Sequence, residues 1–341
     1  MAFLCYAALL AAVSASPWTT SPPNIVWLQV DSLDGRLIDP TSPYYDKLLV
    51  KGFKDLFVGG GTSFVRHYTN SPQCVPSRTS MLTGRYASDV GTTNNGQGLA
   101  RSTKTNKLDS TCVQLWGAAT CASFAARQNV SETFLDLVQR RGYAVHLVGR
   151  VDAGGGILDD YAGTTGDGFH SGPDLHILAR GADIAATTDQ EPWSFTRPDD
   201  PDPYAPDEKE DGLLERWFAT HDPRATPWLA WLGLLDPHPP YATNSTWRAK
   251  VNASSVDAPF LPAFADMHAF DARQSLLKNV TLNYTEFQLK EMRTTYWAAA
   301  AQALSGLVGV LQAAQHTGHL ENTVVIFTAD HGEMSMEHRQ E

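Results

Sequence analysis

The chain has 341 residues, of which 43% are hydrophobic and 18% charged, a balance typical of folded globular proteins rather than disordered ones. Its formal net charge of −11 argues against a nucleic-acid-binding protein, and an anionic substrate would need a local cluster of basic side chains. The length suffices for one large domain or two modest ones. No internal stretch approaches the roughly 18 or more apolar residues of a membrane span.

The first residues are predicted to form a secretory signal peptide. Residues 1–13 are almost wholly apolar and small residues follow at 14–16, so we expect cleavage after Ala15, although a basic start is lacking. A buried N-terminal helix is the alternative. Five Asn-x-Ser/Thr sequons support a passage through the secretory pathway. They begin at Asn129, Asn244, Asn252, Asn279 and Asn283.

The four cysteines agree with an oxidising compartment. Cys5 would leave with the signal peptide, and Cys112 and Cys121 are close enough in sequence to close a small disulfide loop. Cys74 then remains as the odd cysteine, which is the position expected of a reactive or modified residue.

Buried apolar runs predict strands that alternate with helices. The predicted strands are 24–30, 62–69, 143–148, 228–235 and 323–328. The predicted helices are 74–84, one capped by Ser131 that ends at Gly142, 212–219, and 285–315 with an interruption near Gly306 and Gly309. Loops are predicted over 91–127, 154–168 and 199–211. The alternation indicates an α/β fold with a mostly parallel central sheet flanked by helices.

Polar residues come directly after several of these strands. In a parallel sheet, ligands bind beyond the carboxyl ends of the strands. The residues in question are Asp31, Arg150, His238 and the pair Asp330-His331. Each of them alone is more often an ordinary loop residue than a functional one. Their shared position at one edge of the sheet predicts a site there.

The segment 71–85 places a cysteine at the start of a predicted helix. Pro72 and Pro76 suit a turn and a first helical turn, and Gly84 is a predicted stop. Cys74 would lie where unpaired backbone amides and the helix dipole stabilise an anion, with Arg78 about one turn further on. A buried structural cysteine beside a surface arginine is the alternative.

The string Cys74-Val75-Pro76-Ser77-Arg78, followed by Thr83-Gly84-Arg85, resembles the signature of type I sulfatases, in which Cys-x-Pro-Ser-Arg directs oxidation of the cysteine to formylglycine. Flanking motifs resemble the arylsulfatase K branch of that family. These motifs are Asp31-Ser32-Leu33-Asp34-Gly35-Arg36, Tyr68-Thr69-Asn70-Ser71-Pro72, Asp330-His331-Gly332-Glu333 and Met336-Glu337-His338-Arg339-Gln340. The resemblance runs from about Asn24 to the last residue and is thin over 152–225.

This resemblance implies the alkaline-phosphatase-like sulfatase fold, with residues 24–341 as an N-terminal catalytic domain. Such a chain would lack the end of that domain and the smaller C-terminal domain. A second active-site lysine that sulfatases carry further downstream would be missing too. We therefore expect exposed apolar surface where the missing part packs.

The resemblance also implies a calcium site. Its ligands would be Asp31, Asp330, His331 and the modified side chain of Cys74. Carboxylates are hard oxygen ligands that suit Ca²⁺ or Mg²⁺. Many sulfatases have a second aspartate after the first strand, whereas this chain has Ser32 there. One carboxylate fewer changes the expected ligand set.

The remaining site residues follow from the same resemblance. The aldehyde at Cys74 would be hydrated, and one of its hydroxyl groups would attack sulfur to give a covalent sulfo-enzyme intermediate. Arg78 would steady the hydrate or the carboxylates, unless it forms only a surface ion pair. Arg150 stands where the family has a lysine that contacts sulfate, and Asp152 replaces a histidine. His238 would contact sulfate and act as the general acid.

The implied substrate is a sulfated carbohydrate or an aryl sulfate, with glucuronate 2-O-sulfate in glycosaminoglycan-like chains as the narrower expectation. The formylglycine-generating enzyme is the implied partner, and the implied location is lysosomal or extracellular. Two alternatives remain. A phosphomonoesterase or phosphonate hydrolase would normally have Ser or Thr as nucleophile and a second metal site. A truncated, non-catalytic chain that binds anionic glycans is the other.

Overall fold

The computed structural model describes most of the chain in several ranges. They are 22–95, 97–151, 153–154, 205–224, 226–239, 241, 243–278 and 284–339. The predicted signal peptide, Asp152, the sequons at Asn279 and Asn283, residues 155–168 of one predicted loop and residues 199–204 of another lie outside the described residues.

A four-stranded sheet in the order β2-β3-β1-β4 lies at the centre of the described fold. Its strands are β1 (Asn24–Val30), β2 (Ala144–Gly149), β3 (Trp228–Gly233) and β4 (Thr323–Ala329). All neighbouring strands pair in parallel, so their carboxyl ends meet at one edge. Every residue of β3 is buried, as expected for a strand covered on both faces. The predicted parallel α/β fold is confirmed.

Helices of very different lengths surround the sheet. They are α1 (Lys51–Phe53), which continues as a π-helical turn over Lys54–Gly59, α2 (Cys74–Thr83), α3 (Ala87–Val90), α4 (Ser110–Trp116), α5 (Ala118–Gln128), α6 (Phe134–Arg140), α7 (Ala205–Thr220), α8 (Ser245–Arg248), α9 (Ala269–Lys278) and α10 (Glu286–His316). Short 3₁₀ turns lie at Gly35–Leu37, Tyr45–Lys47, Ala253–Ser255, Phe264–Asp266 and Glu337–Arg339.

The 31-residue helix α10 is the main helix of the core. A capping box starts it, in which the Thr285 side chain accepts from the Gln288 amide and the Gln288 side chain accepts from the Thr285 amide. The interruption predicted near Gly306 and Gly309 is wrong, because the helix runs through both. A Cβ atom at Gly306 would lie 2.2 Å from a carboxylate oxygen of Asp211, so glycine there allows α7 to pack closely on α10.

The apolar stretch of α10 meets the length and composition of a membrane-spanning helix. The expectation that no internal stretch approaches the length of a membrane span is therefore wrong. However, 72% of this stretch is buried inside the fold, including Trp297, Ala300 and Leu304. Burial of this kind is what a core helix shows, and a single helix of this type is weak evidence for a membrane span.

Four local predictions are wrong. The predicted loop 199–211 is helical from Ala205, where α7 begins, well before the predicted helix 212–219. Residues 62–69 do not form a strand; they are exposed turns, because β-branched and aromatic residues favour strands only where a sheet face packs them. The predicted loop 91–127 contains α4 and α5, and Asp109 caps α4 by accepting from the Cys112 amide. The helix expected after Ser131 is capped instead by Thr133, which forms a capping box with Asp136.

The cysteine pairing is as predicted. Cys112 and Cys121 form a disulfide with their Cα atoms 5.9 Å apart, which joins the adjacent helices α4 and α5. Cys74 is buried and takes no part in a disulfide. Among the exposed apolar residues are Phe64 and Tyr68 in the turns before α2 and Val324 on the edge strand β4.

His319, just after α10, is buried among the rings of Trp217, Phe218 and Trp228. Its Nδ1 lies 2.8 Å from the Thr317 hydroxyl. The pKa of His319 is lowered from 6.5 to about 4, first by burial and then by the neighbouring His221, against smaller opposing effects. The imidazole is therefore neutral in the folded protein at neutral pH.

This environment predicts a loss of stability in acid. Between about pH 6.5 and about pH 4 the unfolded chain binds more protons at His319 than the folded chain does, so the free energy of unfolding falls as pH falls through this window. His319→Gln should flatten that dependence. Urea unfolding at neutral pH and at about pH 5 measures it. The exposed control His268→Gln should behave like the wild type, and a wild-type slope in His319→Gln would refute the assignment.

Candidate active site

Cys74 lies where a helix begins at the edge of the sheet. It is the first residue of α2, after Gln73 in extended conformation, and its side chain is 3% exposed. Gly84 ends the helix in the left-handed conformation with φ of 64°, as predicted. The carboxylates of Asp31 and Asp330 come directly after β1 and β4, which are neighbouring strands. Strand pairing and helix entry therefore bring three separate parts of the sequence to one point.

The guanidinium group of Arg78 bridges the two carboxylates. Its Nη2 donates to Asp31 Oδ2 and its Nε donates to Asp330 Oδ2, both at 2.9 Å. All three side chains are fully buried, and Nη1 donates to the backbone carbonyl of Arg150. The alternative of a surface ion pair is therefore wrong. Removal of one partner from such a buried arrangement leaves an uncompensated charge.

The side chains of Cys74 and His331 face the same carboxylates. Cys74 Sγ lies 3.6 Å from Asp31 Oδ1 and 3.4 Å from His331 Nε2. One potential ligand atom from each of these three residues and one from Asp330 all lie within 4.8 Å of one another. The structure thus brings together the complete ligand set predicted from the sequence.

The orientation of His331 suits a metal ligand. Its Nδ1 lies 2.8 Å from the carbonyl oxygen of Gly332. Since a carbonyl oxygen only accepts, Nδ1 must carry a proton, and in the neutral ring the lone pair is then on Nε2. Nε2 is the atom that faces Asp31 Oδ1 and Asp330 Oδ2, each at 3.8 Å. A backbone hydrogen bond of this type is the usual way to orient a ligating histidine.

The charge state of Asp31 also suits a cation site. Burial raises the pKa of this carboxyl group, but nearby basic side chains more than offset burial, so its pKa lies well below the ordinary value. These side chains are, in decreasing order of effect, Arg150, His238, Arg78 and His331. An ionised carboxylate is a strong ligand for a hard divalent cation, so the residues present fit Ca²⁺.

Arg150 reaches the same point from β2. Its Nε lies 3.3 Å from Asp31 Oδ2, and its backbone amide donates to the carbonyl of Gly233 at 2.7 Å. A Cβ atom at position 233 would lie 2.0 Å from the Arg150 carbonyl oxygen, so only glycine allows this approach. That carbonyl is the one that accepts from Arg78. The end of β3 therefore helps to fix both arginines.

His238 follows β3 and is 7% exposed. Its Nδ1 is hydrogen-bonded to the carbonyl oxygen of Pro239, so Nδ1 carries the proton and Nε2 is the atom available for proton exchange. Its influence on the pKa of Asp31 places it near the carboxylate cluster. The structure thus gathers all seven predicted site residues at the carboxyl edge of the sheet.

Sequence reasoning missed several residues that hold this cluster. Ser77 Oγ donates to the Asp330 carbonyl at 2.5 Å, and Asn95 Oδ1 accepts from the Val75 amide at 3.2 Å. Tyr296 on α10 contacts the segment after Asp31. Ser77 belongs to the recognised motif, but the sequence has no local signal for Asn95 or Tyr296.

Curated relatives of the chain are arylsulfatase K proteins. The rat protein (Rattus norvegicus) is 27% identical over 97% of this chain and 55% of its own length. The chicken protein (Gallus gallus) is 28% identical over 99% of this chain and 58% of its own length. The human protein (Homo sapiens) is 26% identical over 93% of this chain and 54% of its own length. The chain therefore spans little more than half the length of these relatives.

Solved structures are similar in fold. The phosphonate monoester hydrolase of Silicibacter pomeroyi matches with a TM-score of 0.62 at 18% identity, over 93% of this chain and 64% of that one. The phosphonate monoester hydrolase of Agrobacterium radiobacter matches with 0.59 at 21% identity, over the same shares. A 2-O GAG sulfatase matches with a TM-score of 0.53 at 16% identity, over 94% of this chain and 60% of that one. Identities this low establish the fold alone.

The family is shown by a match to a family model. The sequence model of the sulfatase family matches residues 23–341, which includes every residue of the cluster described above. The chain therefore belongs to the sulfatase family.

Proposed function

We propose that this chain is the catalytic part of a sulfuric ester hydrolase that acts through a formylglycine at position 74. The observation that carries the proposal is the convergence of Cys74, Asp31, Asp330 and His331 within 4.8 Å, with Cys74 inside a Cys-x-Pro-Ser-Arg motif at a helix start. The family match and the arylsulfatase K relatives support the reaction class.

A cysteine thiolate is a poor nucleophile for this reaction. It would form a thiosulfate-type adduct with the sulfonyl group, for which the site provides no simple release. Oxidation of Cys74 to formylglycine requires an external oxidant and the formylglycine-generating enzyme as partner. The hydrated aldehyde supplies one hydroxyl group for attack on sulfur and a second one for later release of sulfate.

Three residues would hold one Ca²⁺ beside position 74, namely Asp31, Asp330 and His331. A bound divalent cation would lower the pKa of a neighbouring hydroxyl group. Arg78 keeps the two carboxylates together, because each of them accepts one of its N–H groups. With two carboxylates, two arginines and a divalent cation, the site would be net positive. That local charge would attract an anionic sulfate ester to a chain whose net charge is −11.

Arg150 and His238 have the remaining roles in the proposal. Arg150 would bind sulfate oxygens with its forked donors, and its permanent charge makes it unsuitable as an acid. His238 would protonate the leaving alcohol from Nε2, since its Nδ1 proton is held by the Pro239 carbonyl. Arg150 contacts Asp31 at the carboxyl edge of the sheet, and His238 is near enough to influence the pKa of the same carboxyl group.

The substrate class is proposed to be a sulfated sugar of the glycosaminoglycan type, with glucuronate 2-O-sulfate as the specific candidate. The arylsulfatase K relatives support a sulfatase, and a structural neighbour with a TM-score of 0.53 is a 2-O GAG sulfatase. Another structural neighbour, with a TM-score of 0.53, was solved in complex with D-glucosamine-2-N,6-O-disulfate.

A phosphonate or phosphate ester hydrolase is the second candidate, because two similar structures are phosphonate monoester hydrolases. That likeness is one of fold. Among the described residues, a single cluster of possible metal ligands occurs, whereas phosphomonoesterases of this type normally use two metal ions. The cluster therefore favours sulfate esters.

The identity of position 74 is open to a direct test. Expressed together with the formylglycine-generating enzyme, the chain should yield a peptide about 18 Da lighter than the one with unmodified cysteine. The protein should hydrolyse an aryl sulfate faster than the matching aryl phosphate. Cys74→Ser keeps the size of the side chain but offers no thiol for the modification, and it should lose sulfatase turnover by at least about a hundredfold.

Circular dichroism would show that the serine variant folds like the wild type. Full turnover in Cys74→Ser, or an active preparation whose Cys74 is unmodified, would contradict the proposed nucleophile. Formylglycine without any turnover would favour the non-catalytic alternative. Faster hydrolysis of the phosphate ester would favour the second candidate.

A location in the secretory pathway, lysosomal or extracellular, completes the proposal. The disulfide between Cys112 and Cys121 supports an oxidising compartment. Two sequon asparagines, Asn129 and Asn252, are exposed in the fold, while Asn244 is half-buried and caps α8. Exposure leaves the first two accessible to a large glycan.

Glycan attachment at Asn129 tests this location. In a protein secreted from eukaryotic cells, Asn129→Gln should remove the mass of one glycan, as measured by intact mass before and after enzymatic deglycosylation. Asn106→Gln is the matched control, because Asn106 is also exposed and also has a positive φ but lacks the sequon. Wild-type protein that is secreted without any glycan at Asn129 would refute the prediction.

A further inference from the structure

Ser32 connects the two carboxylates of the site. Its hydroxyl donates to Asp31 Oδ1 at 2.8 Å, and its backbone amide donates to Asp330 Oδ1 at 3.1 Å. One residue therefore orients both acids from the side opposite to Arg78, whose N–H groups contact the Oδ2 atoms. These bonds depend on the backbone conformation of Ser32.

That conformation is one that serine seldom adopts. The φ of Ser32 is 59°, in the left-handed region that favours glycine. A non-glycine residue persists there when its surroundings hold it. The support must therefore come from contacts on either side of Ser32.

Tyr296 provides those contacts from the centre of α10. Its hydroxyl donates to the Ser32 carbonyl at 2.8 Å and accepts from the Asp34 amide at 2.6 Å. One oxygen atom thus ties together two backbone groups that flank Leu33. The tyrosine is fully buried, and its ring packs against Tyr241 with centroids 5.0 Å apart.

The burial of α10 around Tyr296 fixes the position of the tyrosine hydroxyl. Tyr296 lies in a stretch from Arg293 to Leu304 in which every residue is buried. Burial also raises the pKa of Tyr296 well above 10, so the hydroxyl keeps the proton that it donates to the Ser32 carbonyl. The position of the segment after Asp31 is therefore set by a helix that contributes no ligand.

We propose that Tyr296 is a positioning residue for the cation site, which acts by holding Ser32 in the conformation that orients Asp31 and Asp330. The inference rests on the proposed function, because it assumes that these carboxylates bind a divalent cation. On this proposal the Tyr296 hydroxyl contributes to the affinity for the cation as well as to the stability of the core.

Tyr143 offers a matched control for a purely structural role. Its hydroxyl also donates to a backbone carbonyl at 2.8 Å, that of Pro23. This contact lies just before β1 and β2, at the end of the sheet opposite to the site. Loss of this hydroxyl removes a comparable hydrogen bond and leaves the segment 31–34 untouched.

Calorimetric titration of the chelator-treated full chain with CaCl₂ tests the inference without any measurement of turnover. Tyr296→Phe keeps the ring and deletes one oxygen atom, and it should weaken Ca²⁺ binding by about tenfold or more, as is typical when a group that orients metal ligands is lost. Tyr143→Phe should bind Ca²⁺ like the wild type. Thermal unfolding of both variants shows whether their losses of stability match.

The outcomes separate this inference from the proposed function. Wild-type Ca²⁺ affinity in Tyr296→Phe, or an equal loss in both tyrosine variants, overturns the role of Tyr296 and leaves the sulfatase proposal standing. A wild-type chain that binds no Ca²⁺ overturns the cation assignment itself. If Tyr296→Phe does not fold, Ser32→Ala gives the second measurement, because it cuts the bond by which the tyrosine acts on Asp31. Unchanged Ca²⁺ affinity in that variant also overturns the inference.

Discussion

The two hydrogen bonds from the Arg78 guanidinium group to Asp31 and Asp330 are the interaction on which the rest of the site depends. Two carboxylates from neighbouring strands lie buried side by side, which would be strongly unfavourable without a cation between them. The arginine neutralises part of their charge through Oδ2 of each. Asp31 Oδ1 remains directed toward Cys74 and His331, and Asp330 Oδ2 also faces His331. Removal of one member of a buried pair of this kind costs about 3–5 kcal/mol.

Much of this arrangement could be predicted from local patterns. The segments β1, β2, β3 and β4 are mostly apolar, as in the strands of a parallel sheet, and the residues after them converge because parallel strands end at one edge. The segment 62–69 is also rich in β-branched and aromatic residues, but it is exposed and forms turns rather than a strand. Strand propensity therefore predicted the wrong structure where tertiary packing decides.

The parts of the site that could not be predicted are contacts across long sequence separations. Tyr296 lies 264 residues from Ser32, within a helix whose pattern shows only that it is buried. Gly233 carries no chemistry, yet it allows the Arg150 carbonyl to approach and accept from Arg78. The substitution of a second aspartate by Ser32 was recognised as a departure, but its bonds to both acids emerge only in three dimensions.

Crystals soaked in CaCl₂ give the most direct test of the central claim, since diffraction locates the cation relative to the two carboxylates. The account predicts one Ca²⁺ about 2.3–2.6 Å from oxygen atoms of both Asp31 and Asp330, with Arg78 still hydrogen-bonded to both carboxylates. A calcium ion bound elsewhere, or an ion-free site at saturating CaCl₂, would contradict it.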